Sequence, residues 1–210
     1  MTMHIHTLTI GPIETNCYIV RDDDARALVI DPGSEPERII KFIDDHDLTV
    51  LAYPVTHAHA DHIGALAEVH ERYPAPIGLH PLDLAWAFEP INNLAPFLDT
   101  PKKPSAIERV FEDGQEWNDG AWHYEIILTP GHTPGAVALY FPEHHALFPG
   151  DTLFQGSVGR TDLPGGDPRA LQKSLLRLAQ LPDETRVYPG HGEITTIGHE
   201  KATNYFMRGM

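Results

Sequence analysis

The stretch Thr56-His57-Ala58-His59-Ala60-Asp61-His62 packs three imidazoles and one carboxylate into the six positions from His57 to His62, directly after the apolar run Val50-Leu51-Ala52-Tyr53-Pro54-Val55. Side chains at i, i+2, i+4 and i+5 do not share one helix face, because i and i+2 point apart. They converge only from an irregular loop at the end of a strand. Imidazole nitrogen and carboxylate oxygen together suit borderline divalent metals, zinc first, with iron and manganese as alternatives. The competing reading is a chance run of surface histidines in a chain that contains 14 of them. Against it, four ligand-type side chains in one loop are costly to leave without partners.

Leu48 to Val55 reads as the strand that delivers this loop. Upstream, Ala27-Leu28-Val29-Ile30 forms a short apolar strand ending at Asp31-Pro32-Gly33, where Asp31 is either a turn former or a group that holds the histidine loop in place. Ser34 and Pro36 mark the entry to a helix running to about Asp45. The N-terminal run His4 to Ile10 alternates as a strand does, Gly11-Pro12 turns, and Asn16 to Val20 returns. Downstream, Ile63 to His70 has helical spacing, Ile77-Gly78-Leu79 is a short strand and Leu82 to Phe88 a short helix. Pro90 to Pro104 is rich in Pro and Asn with little periodicity, and is expected to be a mobile loop or a substrate-side flap.

The second half repeats this logic. Ala121 to Leu128 is a strand ending in Thr129-Pro130-Gly131-His132-Thr133-Pro134-Gly135. Ala136 to Phe141 is another, and Ala146-Leu147-Phe148 leads into Pro149-Gly150-Asp151. Arg169 to Gln180 has helical spacing, and Thr185 to Tyr188 reads as a final strand ending in Pro189-Gly190-His191-Gly192. Two αβ halves, each delivering ligands from strand ends, imply two sheets back to back with helices outside. Gly131-His132, Gly150-Asp151 and Gly190-His191 have one form in common, a glycine whose tight backbone lets the next side chain reach a crowded site. With the first loop they make five His and two Asp, enough for two metals.

At 210 residues the chain is long enough for one large domain spanning 1–210. Lys and Arg total 15 against 30 Asp and Glu, a net charge of -15 that repels polyanions, so nucleic acid is not an expected partner. The single cysteine, Cys17, makes no internal disulfide and lies in a strand-like run, so it reads as a buried structural thiol in a reducing compartment. The N-terminus lacks the pattern of a signal peptide, and no apolar run approaches the ~20 residues of a membrane span. The expected location is the cytoplasm, with no membrane partner.

These motifs together resemble the metallo-β-lactamase superfamily, and within it the glyoxalase II (hydroxyacylglutathione hydrolase) branch. The resemblance rests on Thr56-His57-x-His59-x-Asp61-His62, Pro130 to Gly135, Phe148-Pro149-Gly150-Asp151-Thr152-Leu153-Phe154, Gly159-Arg160-Thr161-Asp162 and Pro189-Gly190-His191-Gly192. It implies an α+β four-layer αββα sandwich with a dinuclear site at one edge of the sandwich. Carried over by position, His57, His59 and His132 hold the first metal, Asp61, His62 and His191 the second, and Asp151 bridges both. The implied chemistry is attack of a metal-bridging hydroxide on a thioester carbonyl, with S-lactoylglutathione or a related hydroxyacylglutathione as the first expected substrate. A thiol leaves with a pKa near 8.5, so no strong general acid is required, and Asp61 is a candidate acceptor for the proton of the nucleophilic water. Arg160 either holds the anionic part of the substrate or pairs with Asp162, and Thr133 is a candidate for orienting a ligand. His4, His6, His144, His145 and His199 read as surface or strand residues.

Full-length glyoxalase II proteins carry a helical C-terminal domain, whereas this chain ends at Met210 soon after His191, as in the short bacterial type. The alternative on the same fold is a mononuclear-iron persulfide dioxygenase, which has a similar Gly-Arg-Thr-Asp segment. A β-lactamase is a second rival. Asp at position 151, where the best-known subclass has Cys, counts against that subclass.

Overall fold

The computed structural model describes residues 2–93 and 98–210. It parts into two compact units, Met1–Phe111 with Asn118–Trp122, and Glu112–Trp117 with His123–Met210. In the first, alternation over β1 (His4–Ile10) and the almost wholly buried β2 (Thr15–Arg21), with its apolar stretch Cys17-Tyr18-Ile19-Val20, produce an antiparallel pair with Ile5 opposite Val20 and Leu8 opposite Cys17. β3 (Arg26–Ile30) adds antiparallel to β2. β4 (Thr49–Pro54), β5 (Ile77–Leu79) and β6 (Arg109–Val110) then follow in parallel, giving a six-stranded sheet in sequence order.

Parallel neighbours need crossover connections. α1 (Pro36–Asp45) links β3 to β4, while α2 (Ala60–Ile63) and α3 (Leu66–Arg72) link β4 to β5. Pro36 at the first helical turn starts α1, and its Ile39 and Ile43 enter a core that includes Val29, Tyr53, Val55, Leu66 and Val69. The helical spacing of Ile63 to His70 predicts one helix, but the structure breaks it at Gly64 and Ala65. Gly64 packs against the Gly33 carbonyl so closely that a Cβ there would stand 2.4 Å from the oxygen. After α4 (Pro81–Leu84), the expected continuation to Phe88 gives way to tighter turns, with the Trp86 N–H donating to the Asp83 carbonyl. The flap expected over Pro90 to Pro104 lies partly outside the described residues, which omit 94–97; its described part buries Asn92, Pro101 and Pro104.

Gly33 carries the tightest approach in this unit. A Cβ on it would lie 1.5 Å from the Asp61 carbonyl oxygen. Gly33→Ala is therefore expected to lower stability by about 3 kcal/mol, at the upper end of usual overpacking costs. An unchanged urea midpoint would contradict that packing.

In chain order there follow β7 (Glu116–Asp119) and β8 (Trp122–Leu128), whose residues Asn118–Asp119 and Trp122 group with the first unit and the rest with the second, and then, in the second unit, β9 (Val137–Phe141) and β10 (Ala146–Gly150). A two-stranded hairpin follows, β11 (Leu153–Phe154) with β12 (Ser157–Val158). α5 (Pro168–Leu178) crosses to β13 (Arg186–Pro189), which is parallel to β10. Thr185 to Tyr188 is not the final strand: β14 (Thr195–Thr196) and α6 (Ile197–Thr203) follow, completing the sheet order β14-β13-β10-β9-β8-β7. A two-residue strand carries no periodicity for sequence reading to detect. Asp167 caps α5 by accepting from Arg169 N and Ala170 N, bonds that hold its carboxyl below the usual range. Leu171, Leu175 and Leu178 of α5 pack with Leu147, Val187, Ile197 and Met207. Among the described residues no helix is long and apolar enough to cross a membrane.

Candidate metal centre

In the first unit, the carboxyl ends of β3 and β4 carry Asp31 and the histidine loop side by side. This is where parallel strands generally present their functional groups. Asp31 is buried and in the left-handed region, with φ 52°. Its Oδ1 accepts from Thr56 N at 2.8 Å, and its Oδ2 accepts from Thr56 Oγ1 at 2.6 Å and from His62 Nδ1 at 3.0 Å. Of the two roles open to Asp31, the structure selects the one that holds the loop. With its Nδ1 proton directed at Asp31, His62 turns Nε2 into the acceptor that a cation needs. Thr56 Oγ1 gives its proton to Asp31 and stands 3.1 Å from His57 Nδ1, so it receives the Nδ1 proton of His57 in turn.

The sequence reading places all four ligand-type residues on an irregular loop. The structure corrects this: His57 and His59 precede α2, while Asp61 and His62 ride on its single turn. The His57 ring lies 4.0 Å from that of His62 and 5.0 Å from that of His59, the latter at 87°. Trp86 covers His59 at 5.5 Å between rings. Asp61 Oδ2 accepts from Thr15 Oγ1 at 2.9 Å and lies 3.3 Å from His62 Nε2. The backbone at Ala58 is pinned on both sides, its N–H by the buried Asp83 carboxylate at 3.0 Å and its carbonyl by Asn92 Nδ2 at 2.6 Å. Thr15, Asp83 and Asn92 were not singled out by sequence. Each is an ordinary strand, helix or turn residue until its distant partner is known.

The second unit gathers the other three ligand-type residues. Gly131 and Gly150, at φ 140° and 51°, provide the backbone turns that precede His132 and Asp151. His132 Nδ1 donates to the Arg160 carbonyl at 2.8 Å, which leaves Nε2 to face Asp151 Oδ2 at 3.4 Å. The same Asp151 oxygen lies 3.6 Å from His191 Nε2. Two donors on one tetrahedral ion, each bonded at about 2.0–2.1 Å, stand roughly 3.3 Å apart. The spacings at Asp151, and that between Asp61 and His62, therefore match atoms arranged to share a cation. The donor set, all imidazole nitrogen and carboxylate oxygen, fits zinc, iron or manganese. Thr133 is buried and its carbonyl accepts from Gly131 N; the group that orients His132 is the Arg160 carbonyl.

Arg160 itself is exposed and grips Asp162 with Nε and Nη2, both at 2.7 Å, which holds the Asp162 carboxyl down at about 2. Cys17 is fully buried, and burial with the nearby Asp31 charge pushes its thiol up, out of range for a nucleophile.

The family model for the metallo-beta-lactamase superfamily matches residues 10–191. Hydroxyacylglutathione hydrolase GloC of Haemophilus influenzae is 35% identical over 209 residues, covering 98% of this chain and 98% of that protein. The crystal structure of BLEG-1 B3 metallo-β-lactamase is similar at a TM-score of 0.93 and 38% identity, covering 98% of this chain and 100% of that one. The crystal structure of TTHA1623 in a di-iron-bound form is 44% identical with a TM-score of 0.85, covering 96% of this chain and 99% of that one.

Proposed function

Since the chain belongs to the metallo-β-lactamase superfamily and carries its His/Asp donor cluster, we propose that it is a thioester hydrolase using two divalent metal ions, acting on S-lactoylglutathione or a related hydroxyacylglutathione. The observation that carries the reading is the oriented donor set: His57, His62 and His132 are each held through Nδ1, so that each offers Nε2. The full-length likeness to a hydroxyacylglutathione hydrolase supports the substrate class.

By the family resemblance, His57, His59 and His132 would hold one ion, Asp61, His62 and His191 the other, and Asp151 would bridge them. When bound, the ions lower the pKa of water and polarise the substrate carbonyl. The remaining roles fall to the chain. Asp61, steadied by Thr15, takes the proton of the attacking water. Asp31 and the Arg160 carbonyl keep the imidazoles in the tautomer that presents Nε2. Arg160, engaged by Asp162 through Nε and Nη2, has Nη1 to offer a substrate carboxylate. The leaving thiol needs no acid from the protein, because its pKa is near 8.5. A reduced buried thiol and a glutathione thioester both suit the cytoplasm.

Purified protein is expected to contain two metal ions per chain and to release thiol from S-lactoylglutathione. Chelation should abolish turnover and metal should restore it. One iron per chain with sulfite formed from glutathione persulfide would overturn the reading, as would β-lactam hydrolysis without thioester turnover.

A further inference from the structure

Glu200 is a carboxylate with no exposure to solvent, on a short helix that the hydrolase reading does not use. Its Oε2 accepts from Gly156 N and from Asn204 Nδ2, both at 2.8 Å, and its Oε1 accepts from Thr195 Oγ1 at 2.6 Å. Asn204, equally buried, also donates to the Ser157 carbonyl at 3.0 Å. Gly156 and Ser157 belong to the β11–β12 hairpin, so one buried pair on and after α6 grips the turn of that hairpin from behind.

Each ligand-type residue of the second unit is tied to the segment so gripped. Asp151 enters it, two residues before β11. At its far end the Arg160 carbonyl takes the Nδ1 proton of His132. The segment folds back so tightly that a Cβ on Gly159 would stand 1.8 Å from the Asp151 carbonyl oxygen and 3.1 Å from His132 Nδ1. The Phe154 ring, in β11, meets the His191 ring edge-on at 6.0 Å, and Thr195, the remaining Glu200 partner, lies four residues beyond His191. A buried carboxylate that accepts three hydrogen bonds fixes whatever supplies the donors, because leaving those donors unmet is costly.

We propose that Glu200, braced by Asn204, is a positioning residue that sets the β11–β12 segment and through it the placement of Asp151, His132 and His191 as metal donors. The proposal rests on the reading of those three residues as ligands.

The comparison of Glu200→Ala with Glu200→Gln tests it. A glutamine can keep its oxygen on Gly156 and Asn204 while its amide donates to the Thr195 hydroxyl, which can also accept, so the clamp survives. Glu200→Ala is expected to weaken zinc binding in competition with a chromophoric chelator by about 10–100-fold, and Glu200→Gln by less than about threefold. In the metal-free chain, Gly156 amide hydrogen exchange should accelerate in the alanine variant and not in the glutamine variant. Turnover of S-lactoylglutathione should fall in kcat with KM little changed. Leu178→Ala, in the core of the same unit, provides the control: it should lower thermal stability without changing zinc affinity. If Glu200→Ala does not accumulate folded, Asn204→Ala removes one arm of the clamp and should shift affinity in the same direction. Wild-type zinc affinity in a folded Glu200→Ala chain, or an equal loss in Leu178→Ala, overturns the proposal alone. A wild-type chain that takes up no zinc overturns the ligand reading and the proposal with it.

Discussion

Asp151→Ala is expected to lose one metal equivalent per chain and at least about 10³-fold in thioester turnover, more than the removal of a single oxyanion donor usually costs. In the second unit, one Asp151 oxygen is the point on which two imidazoles converge, 3.4 Å from His132 Nε2 and 3.6 Å from His191 Nε2. Neither residue flanking it in the chain can take over as donor, because Gly150 has no side chain and the buried Thr152 hydroxyl donates to Thr129 Oγ1 at 3.0 Å. Stability separates this from simple unfolding. A metal that binds only the native state stabilises it by about 2.7 kcal/mol at a hundred times its Kd, and the variant should lose that increment. Comparing the metal-free variant with the metal-free parent separates that increment from any cost of the substitution to the fold itself. Atomic absorption and thermal melts with and without chelator read both effects. Full metal content with parental turnover would refute the proposed bridging role.

The contrast between the proposed ligands and their supports explains how much of this site was legible in sequence. His57, His59, Asp61, His62, His132, Asp151 and His191 stand out because metal chemistry demands residue types that loops seldom concentrate, and strand ends place them at readable intervals. Their supports do not stand out. Thr15 meets Asp61 across 46 residues, Asn92 meets Ala58 across 34, and Asp83 meets the same loop across 25. A strand threonine or a turn asparagine looks the same with or without such a partner. The group that orients His132 is a backbone carbonyl, 28 residues away, and a carbonyl has no residue identity to read. The same limit applies to the fold. Local periodicity located β1 to β4, α1 and α5, whereas the break between α2 and α3 comes from the approach of Gly33, a tertiary contact.

Asp31 is where local and distant information meet, and Asp31→Asn isolates what its charge does. Position 31 has φ 52°, which Asn tolerates better than most residues, so the substitution adds little backbone strain. An alanine there would both strain the turn and leave three buried donors unmet. The asparagine keeps one oxygen, enough for Thr56 N, but presents an amide where the carboxylate now accepts from Thr56 Oγ1 and His62 Nδ1. Two donors then face one another at His62. The conflict is relieved when the imidazole moves its proton to Nε2, the atom it must offer to the metal. Asp31→Asn is therefore expected to weaken metal binding by about 10–100-fold. It should also destabilise the metal-free chain by about 3 kcal/mol, the scale of a buried hydrogen bond to a charged group. Asp31→Ala should lose more stability than Asn while sharing its metal defect. Chelator competition and urea denaturation of the two variants distinguish the terms. If Asp31→Asn binds zinc as tightly as the parent, His62 does not depend on Asp31 for its tautomer, and the oriented donor set loses its best-defined member.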